Sequence, residues 1–411
     1  MKYAIVTFGC RVNQADSLAL EGQLLARGGT AVSADRADVL VVNTCSVTAT
    51  ADQGARQTIR RIVRSNPSVR VIVTGCYATR VPGELAGLPN VVQVVPNTAK
   101  DAVAEVVARE AGRSTAERFS GGDGPCGSVL APGVAGRTAF TLRVQTGCDE
   151  RCAYCIIPST RGRGQSKPVD EIIRDVERAV RAGYKEIALT GVHLGSYGRD
   201  TSPRSSLLAL LEHLDAWPDD VLFRVSSLEP MDCTPDVVSL AAGSPRIAPH
   251  FHLPLQHGAD TMLSAMRRPY TAVFYTALVE RIVDLMPHAS IGSDVIVGFP
   301  GETAAEFDAS MTVLRGLPLS HLHVFPYSDR PGTEAAALRP KIEGTVIRER
   351  ARRVRELGTE MTRRFRAAQT GTVRRALVVD DGWSAVTDNY VKVRLEQQAA
   401  RNTWIDARLP H

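Results

Sequence analysis

Cys148-Asp149-Glu150-Arg151-Cys152-Ala153-Tyr154-Cys155 puts three thiols on one short loop with C-x3-C-x2-C spacing. Three thiolates can hold three irons of a 4Fe–4S cube. With no fourth cysteine nearby, one iron is left open. An open iron can chelate the amino and carboxylate groups of S-adenosylmethionine. An electron from the cluster then splits the sulfonium and yields a 5′-deoxyadenosyl radical. The cofactors carry that chemistry, and the protein positions and shields it. Zinc fits less well, because structural zinc sites use four protein ligands and favour C-x2-C pairs.

A second set is more dispersed. Cys10, Cys45 and Cys76 each follow a strand pattern, in Phe8-Gly9-Cys10, Asn43-Thr44-Cys45 and Thr74-Gly75-Cys76. If those strands are parallel in an open α/β sheet, their C-terminal ends share one edge, where ligands bind. Three cysteines distant in sequence would then converge, with Gly9 and Gly75 allowing close backbone approach. The set predicts a second cluster with an open iron. The competing reading is three unrelated buried cysteines. The other two of the eight cysteines, Cys126 and Cys233, have no cysteine neighbours and are expected to play no part.

The positioning elements are legible as alternating patterns. Strands are expected at 3–8, 39–43, 69–74 and 91–95, with helices at 15–27, 51–65 and 100–109. Continuous apolar strands separated by helices imply a parallel sheet covered on both faces, here of flavodoxin-like type. Residues 113–136 are rich in Gly, Ser, Ala and Pro and read as a linker. Further strands are expected at 141–145, 186–190, 222–226, 250–255, 290–297 and 320–325, with helical patterns between most of them. Six such units suggest a partial TIM-type (β/α)6 barrel. A basic helix from Val346 to about Arg366 follows, then short strand patterns at 375–379 and 390–395 that form a small β domain. The expected divisions are 1–112, the linker 113–136, the core 137–366 and the tail 367–411.

The composition fits a globular chain: of 411 residues, 44% are hydrophobic and 23% charged, with net charge +5. No apolar run approaches the length of a membrane span. The first residues enter a strand pattern directly, so a cytoplasmic location and no membrane partner are expected. Clustered cysteines in such a chain indicate metal binding or catalysis rather than disulfides.

Taken together, several stretches resemble the radical-SAM methylthiotransferase family over nearly the whole chain. They are Phe8–Asn13, Asn43–Thr48, Gly75–Tyr77, Gly147–Cys155, Thr190–Gly198, Ser226–Pro230, His252–Gln256 and Asp294–Thr303. The resemblance implies two 4Fe–4S clusters with different duties. The cluster on Cys10, Cys45 and Cys76 would carry a sulfur that one S-adenosylmethionine methylates. The cluster on Cys148, Cys152 and Cys155 would cleave a second. It also makes Tyr154, Gly191, Ser226, Gly298 and Glu302 candidates for holding S-adenosylmethionine. A reductant protein and a sulfur donor are implied as partners.

Within the family, Asn43–Thr48 and Thr190–Gly195 look like the branch acting on tRNA threonylcarbamoyladenosine at position 37. The isopentenyladenosine branch usually has Arg where this chain has Thr48. The alternatives are that isopentenyl substrate, an aspartate of a ribosomal protein, or a non-catalytic iron–sulfur or zinc RNA-binding protein. The arginines of the basic helix suit tRNA phosphates, although glutamates on the same helix can pair with some of them. The tail resembles the RNA-binding TRAM domain from Thr370–Val373 and again from Thr387–Val391, but it is short. Gln165, where the family often has a basic residue, is a smaller departure.

Overall fold

The computed structural model describes residues 1–46, 49–112 and 138–409. Thr48, Cys126 and the expected linker lie outside the described residues. The chain divides into two compact units. One contains residues 1–112 with Thr146–Asp149 and Ile156–Arg163. The other contains residues 138–145, Glu150–Cys155 and 164–409.

The first unit alternates strand and helix: β1 (Lys2–Thr7), α1 (Arg11–Ala26), β2 (Thr30–Ala31), β3 (Val39–Thr44), α2 (Ala49–Ser65), β4 (Arg70–Gly75), α3 (Cys76–Arg80), α4 (Pro82–Ala86), β5 (Val91–Val95) and α5 (Val103–Glu110). The sheet is parallel, in the order β2-β1-β3-β4-β5. This is the flavodoxin-like order, with a change of direction beside β1. Both sheet faces are buried, which explains why β3 is apolar without alternation. Leu40 and Val42 pack with Ala55, Ile59 and Ile62 of α2. Val39 and Val41 pack on the other face with Leu20 and Leu24 of α1 and Val103 and Val107 of α5.

Later elements are β6 (Phe140–Arg143), β7 (Gln145–Thr146), α6 (Ile157–Arg161), β8 (Gln165–Ser166), α7 (Val169–Arg181), β9 (Glu186–Thr190), α8 (Leu207–Asp215), β10 (Leu222–Val225), α9 (Pro235–Gly243) and β11 (His250–His252). They continue as α10 (Asp260–Ala265), α11 (Ala272–Leu285), β12 (Ser290–Val297), α12 (Ala304–Gly316), β13 (His321–Pro326), α13 (Glu334–Ala337) and α14 (Gly344–Gln369). The second unit has two three-stranded parallel sheets, β10-β9-β6 and β11-β12-β13. Isolated parallel bridges Phe223↔Ile247 and Ser227↔His252 link them. The result is a six-stranded open barrel.

At the base of this barrel Arg224 is completely buried. Its Nε and Nη2 donate to the Glu186 carboxylate at 2.9 and 3.2 Å. Such a fork satisfies both charges where neither alone would be tolerated. α14 runs outside β13, where Gly358 lets it approach Leu322. The tail forms a complete four-stranded antiparallel sheet from β14 (Val373–Val379), β15 (Ser384–Thr387), β16 (Lys392–Arg394) and β17 (Trp404–Arg408), in the order β16-β15-β14-β17.

Candidate iron–sulfur sites

In the first unit the three cysteines follow adjacent parallel strands. Cys10 precedes α1 and occupies its N-cap, Cys45 follows β3, and Cys76 opens α3 after β4. The backbone approaches are tight. A Cβ on Gly9 would fall 2.4 Å from the Cys45 Sγ, so the chain at Gly9 passes directly against that sulfur. Gly75 has φ +100°, and a Cβ there would lie 2.2 Å from the Thr44 carbonyl oxygen. A polar lattice beneath fixes these turns. Asn13 Nδ2 donates to the carbonyls of Phe8 and Thr44 at 2.8 and 2.9 Å. Asn43 Nδ2 donates to the Asn13 carbonyl at 2.8 Å, and Thr44 Oγ1 to the Thr74 carbonyl at 2.6 Å.

Sequence patterns did not single out the cations of this site. Arg161, at the end of α6, pairs with Asp16 at 3.1 Å within the same unit. Burial alone would lower its pKa, but Asp16 and the Cys76 and Cys10 sulfurs hold the guanidinium more firmly charged than usual. Lys100 Nζ donates to Asp16 Oδ2 at 2.6 Å and to Asn43 Oδ1 at 3.1 Å. Burial lowers its pKa despite Asp16. Asn97 Nδ2 lies 3.6 Å from the Cys76 Sγ and also donates to the Thr160 carbonyl at 2.9 Å. Fixed cations and donors beside sulfur favour the thiolate form, the form that binds iron. The donor set therefore suits an iron–sulfur cluster.

The other three cysteines sit on the loop after β6 and β7. Gly147 opens it at φ +69°; a Cβ there would strike the Arg163 carbonyl oxygen at 1.9 Å. The Cys148 backbone N–H donates to the Gly162 carbonyl at 3.1 Å, and that of Cys155 to the Cys152 carbonyl at 3.0 Å. In the second unit, Ala153 is tied to the Met266 carbonyl and to the Ala335 N–H. Arg268 Nη1 donates to the Cys152 Sγ at 3.0 Å. Its other nitrogens reach Glu229 and, at 3.1 Å, Tyr270 Oη. Burial would lower the Arg268 pKa, but Tyr154, Glu229, Tyr270 and Cys152 together raise it. A permanent cation on the Cys152 sulfur and partial exposure of all three cysteines suit a cluster reached by a small molecule. Cys233, by contrast, is 2% exposed, and burial followed by Asp232 pushes its thiol up to about 12.

The remaining candidates occupy varied places. Tyr154 packs against the core cluster that includes Ile296, Phe299 and Met266, and burial raises its hydroxyl pKa well above the usual range. Gly191 lies against Gln145, whose Oε1 accepts from the N–H groups of Val192 and His193 at 2.9 Å. Ser226 is buried, with its N–H on the Leu189 carbonyl. Gly298 has φ +77° and donates its N–H to Glu302. Glu302 is 2% exposed and also bonds His257 Nε2 at 3.1 Å and Arg350 Nη1 at 2.7 Å. Its carboxylate therefore holds the 298–302 loop against α14.

Comparison with known proteins agrees with this geometry. Residues 2–96 match the uncharacterized protein family UPF0004, and residues 142–314 match the Radical SAM superfamily. A Kitasatospora setae radical S-adenosylmethionine methyltransferase, TsrM, solved with cobalamin and a [4Fe-4S] cluster, shares the fold with a TM-score of 0.59 at 16% identity. The match covers 82% of this chain and 74% of that one. The match of residues 142–314 to the Radical SAM superfamily places the chain among radical-SAM enzymes, which use a 4Fe–4S cluster and S-adenosylmethionine. The threonylcarbamoyladenosine tRNA methylthiotransferase MtaB of Aquifex aeolicus is 38% identical, over 96% of this chain and 97% of its own length. The tRNA-2-methylthio-N(6)-dimethylallyladenosine synthase of Thermobifida fusca is 32% identical, over 92% of this chain and 78% of its own. The chain belongs to the radical-SAM methylthiotransferase family.

Proposed function

We propose that this enzyme adds a methylthio group to C2 of N6-threonylcarbamoyladenosine beside the anticodon of tRNA. The observation that carries the substrate is the 38% identity, end to end, with an enzyme named for that nucleoside. The convergence of Cys10, Cys45 and Cys76 at one sheet edge supports a second 4Fe–4S cluster in addition to the one on Cys148, Cys152 and Cys155. When bound, the two clusters would supply radical generation at one site and sulfur storage at the other.

The chain's own groups have definable tasks. The six cysteines present thiolates, and Arg268, Arg161 and Lys100 keep charge balanced beside them. Tyr154, Gly191, Ser226 and the Gly298 loop are assigned to S-adenosylmethionine, with Glu302 fixing that loop. On α14, Arg352 and Arg363 pair with Glu349, Glu356 and Glu360. Arg348, Arg355, Arg364 and Arg366 are exposed and make no ion pair among the described residues, and they are assigned to tRNA phosphates. A reductant protein and a sulfur donor complete the reaction. We place this tRNA enzyme in the cytoplasm; no helix among the described residues is long and apolar enough to cross a membrane. The expected divisions 1–112, 113–136, 137–366 and 367–411 are retained as the proposed domain plan.

The test is nucleoside mass spectrometry. Reconstituted enzyme with reductant, S-adenosylmethionine and threonylcarbamoylated tRNA should form the methylthio nucleoside and release 5′-deoxyadenosine. Cys152→Ala should do neither. A wild-type enzyme that leaves this tRNA unchanged while modifying isopentenylated tRNA would remove the substrate assignment. Persistence of 5′-deoxyadenosine release in Cys152→Ala would remove the cluster assignment.

A further inference from the structure

Three imidazoles and one carboxylate meet inside the barrel of the second unit. His252 Nε2 lies 2.9 Å and His323 Nδ1 3.2 Å from the same Asp294 oxygen. The His252 and His323 rings are 5.1 Å apart, and His321 is 5.3 Å from His323 and 6.0 Å from His252. The parallel register creates the group: His252, Gly292 and His321 form one row, and Asp294 and His323 are paired in the next. Gly292 leaves room for it, since a Cβ there would fall 2.1 Å from His321 Nε2 and 3.0 Å from His252 Nδ1.

The cluster shares a face with the radical-generating loop. Side chains alternate along a strand, so Asp294 and Ile296 project to one side, as do His323 and Phe325. Ile296 and Phe325 pack with Ala153 and Tyr154 of the cysteine loop. The Asp294–His323 row therefore lies about 6.6 Å along the strands below the Ile296 and Phe325 side chains that meet that loop, and the His252–His321 row one step further down. On the opposite side, Leu322 meets α14. His323 remains 58% exposed on its side chain, open to the barrel interior.

Asp294 fixes which atom of His323 is presented. Burial would raise the Asp294 pKa, but the bonds from His252 and His323 hold the carboxyl well below its usual range. The ionised Asp294 accepts a hydrogen bond from the His323 Nδ1–H, which turns Nε2 away from the carboxylate. Neutral, this ring accepts at Nε2 from a hydroxyl; protonated, it donates Nε2–H to a carboxylate. An apolar group would desolvate Asp294 and three imidazoles without replacing their water. Each unmatched buried polar group costs about 1–3 kcal/mol. His252, Asp294 and His323 also bear on metal binding, since their ligand atoms lie within 4.8 Å of one another. Yet both nitrogens already converge on one carboxylate oxygen, a pattern that is complete without an ion.

We propose that His323, oriented by Asp294 and flanked by His252 and His321, binds the hydroxy-acid end of the N6 substituent on the target adenosine and so discriminates against an apolar substituent. This inference rests on the proposed reaction on threonylcarbamoyladenosine and names the residues that select it. No covalent step is assigned to His323.

The experiment compares two anticodon stem-loops, one threonylcarbamoylated and one isopentenylated, on reconstituted wild type, His323→Phe and His323→Gln. His323→Phe should lower kcat/KM on the first stem-loop about 10- to 100-fold, chiefly through KM. It should also shift the ratio of the two substrates toward the isopentenyl form. His323→Gln, which keeps a donor, should recover part of the preference. Iron and sulfide content reports on site integrity in each variant. An unchanged substrate ratio in His323→Phe overturns the inference while leaving the proposed function standing. A wild type inactive on the threonylcarbamoylated stem-loop overturns both. One zinc or iron per chain beyond the clusters, lost in His323→Ala, would identify a metal site and overturn the reading of His323 as a substrate contact.

Discussion

The cysteines differ in what surrounds their sulfurs, and that difference separates the proposed ligands from the buried Cys233. Cys152 has a guanidinium 3.0 Å from its sulfur. Cys10 and Cys76 lie within electrostatic reach of Arg161, and Cys10 also sits at a helix N-terminus, where anionic sulfur is favoured. Cys233 has burial and the nearby Asp232 against it, and its thiol is raised to about 12. It should therefore resist iodoacetamide in the folded protein from pH 7 to 9.5. Peptide mass spectrometry after quenching should find Cys233 unlabelled under conditions that label Cys10 in cluster-free protein. Equal labelling of the two would contradict the buried, protonated state assigned to Cys233.

At the scale of elements, strand-end glycines make the site possible, and their effect can be measured. Gly75→Ala would force a Cβ into the Thr44 backbone at a positive φ, at a cost of about 3 kcal/mol. Urea denaturation should show that loss, and iron content should fall by up to one cluster as Cys76 shifts. A variant with wild-type midpoint and iron would mean that the β4–α3 turn does not position Cys76. Much of this architecture was legible because burial imprints itself on sequence. The expected strands 91–95, 186–190 and 290–297 match the structure end for end. α1 starts at Arg11 rather than at 15, because the apolar rhythm begins only after its polar first turn. β2 is two residues long and leaves no pattern. Arg161, Lys100 and Arg268 were not legible, since a basic residue gains its meaning from partners far away in sequence. His323 was missed for the same reason: only strand register brings it to Asp294.

On the scale of the molecule, the second unit has two distinct ends. The segment bearing Cys152 and Cys155 packs where Ile296 and Phe325 approach the C-terminal ends of their strands. The tail sheet contacts the N-terminal ends instead. Asn402 Nδ2 donates to the Gly183 carbonyl at 2.7 Å, just before β9, and Arg375 pairs with Asp220, just before β10. Tyr390 lies between His250, 4.6 Å from its ring, and Arg224, 4.7 Å from its ring. Asn389 is fully buried and forms the joint: its Nδ2 donates to the His288 carbonyl at 2.8 Å and to Gln369 Oε1 at 3.1 Å. It also accepts from Thr387 Oγ1 at 2.6 Å. The tail thus packs under the barrel as well as being a candidate RNA module, at the end opposite the segment that bears Cys152 and Cys155. Asn389→Ala would strand several buried partners at a cost of about 2–3 kcal/mol. The expected outcome is a lower urea midpoint for the whole second unit, followed by Trp383 and Trp404 fluorescence and by far-UV dichroism in one coincident transition. If the tryptophans instead report an early separate transition while the helical signal keeps its wild-type midpoint, the tail sheet is an independent module and does not brace the barrel.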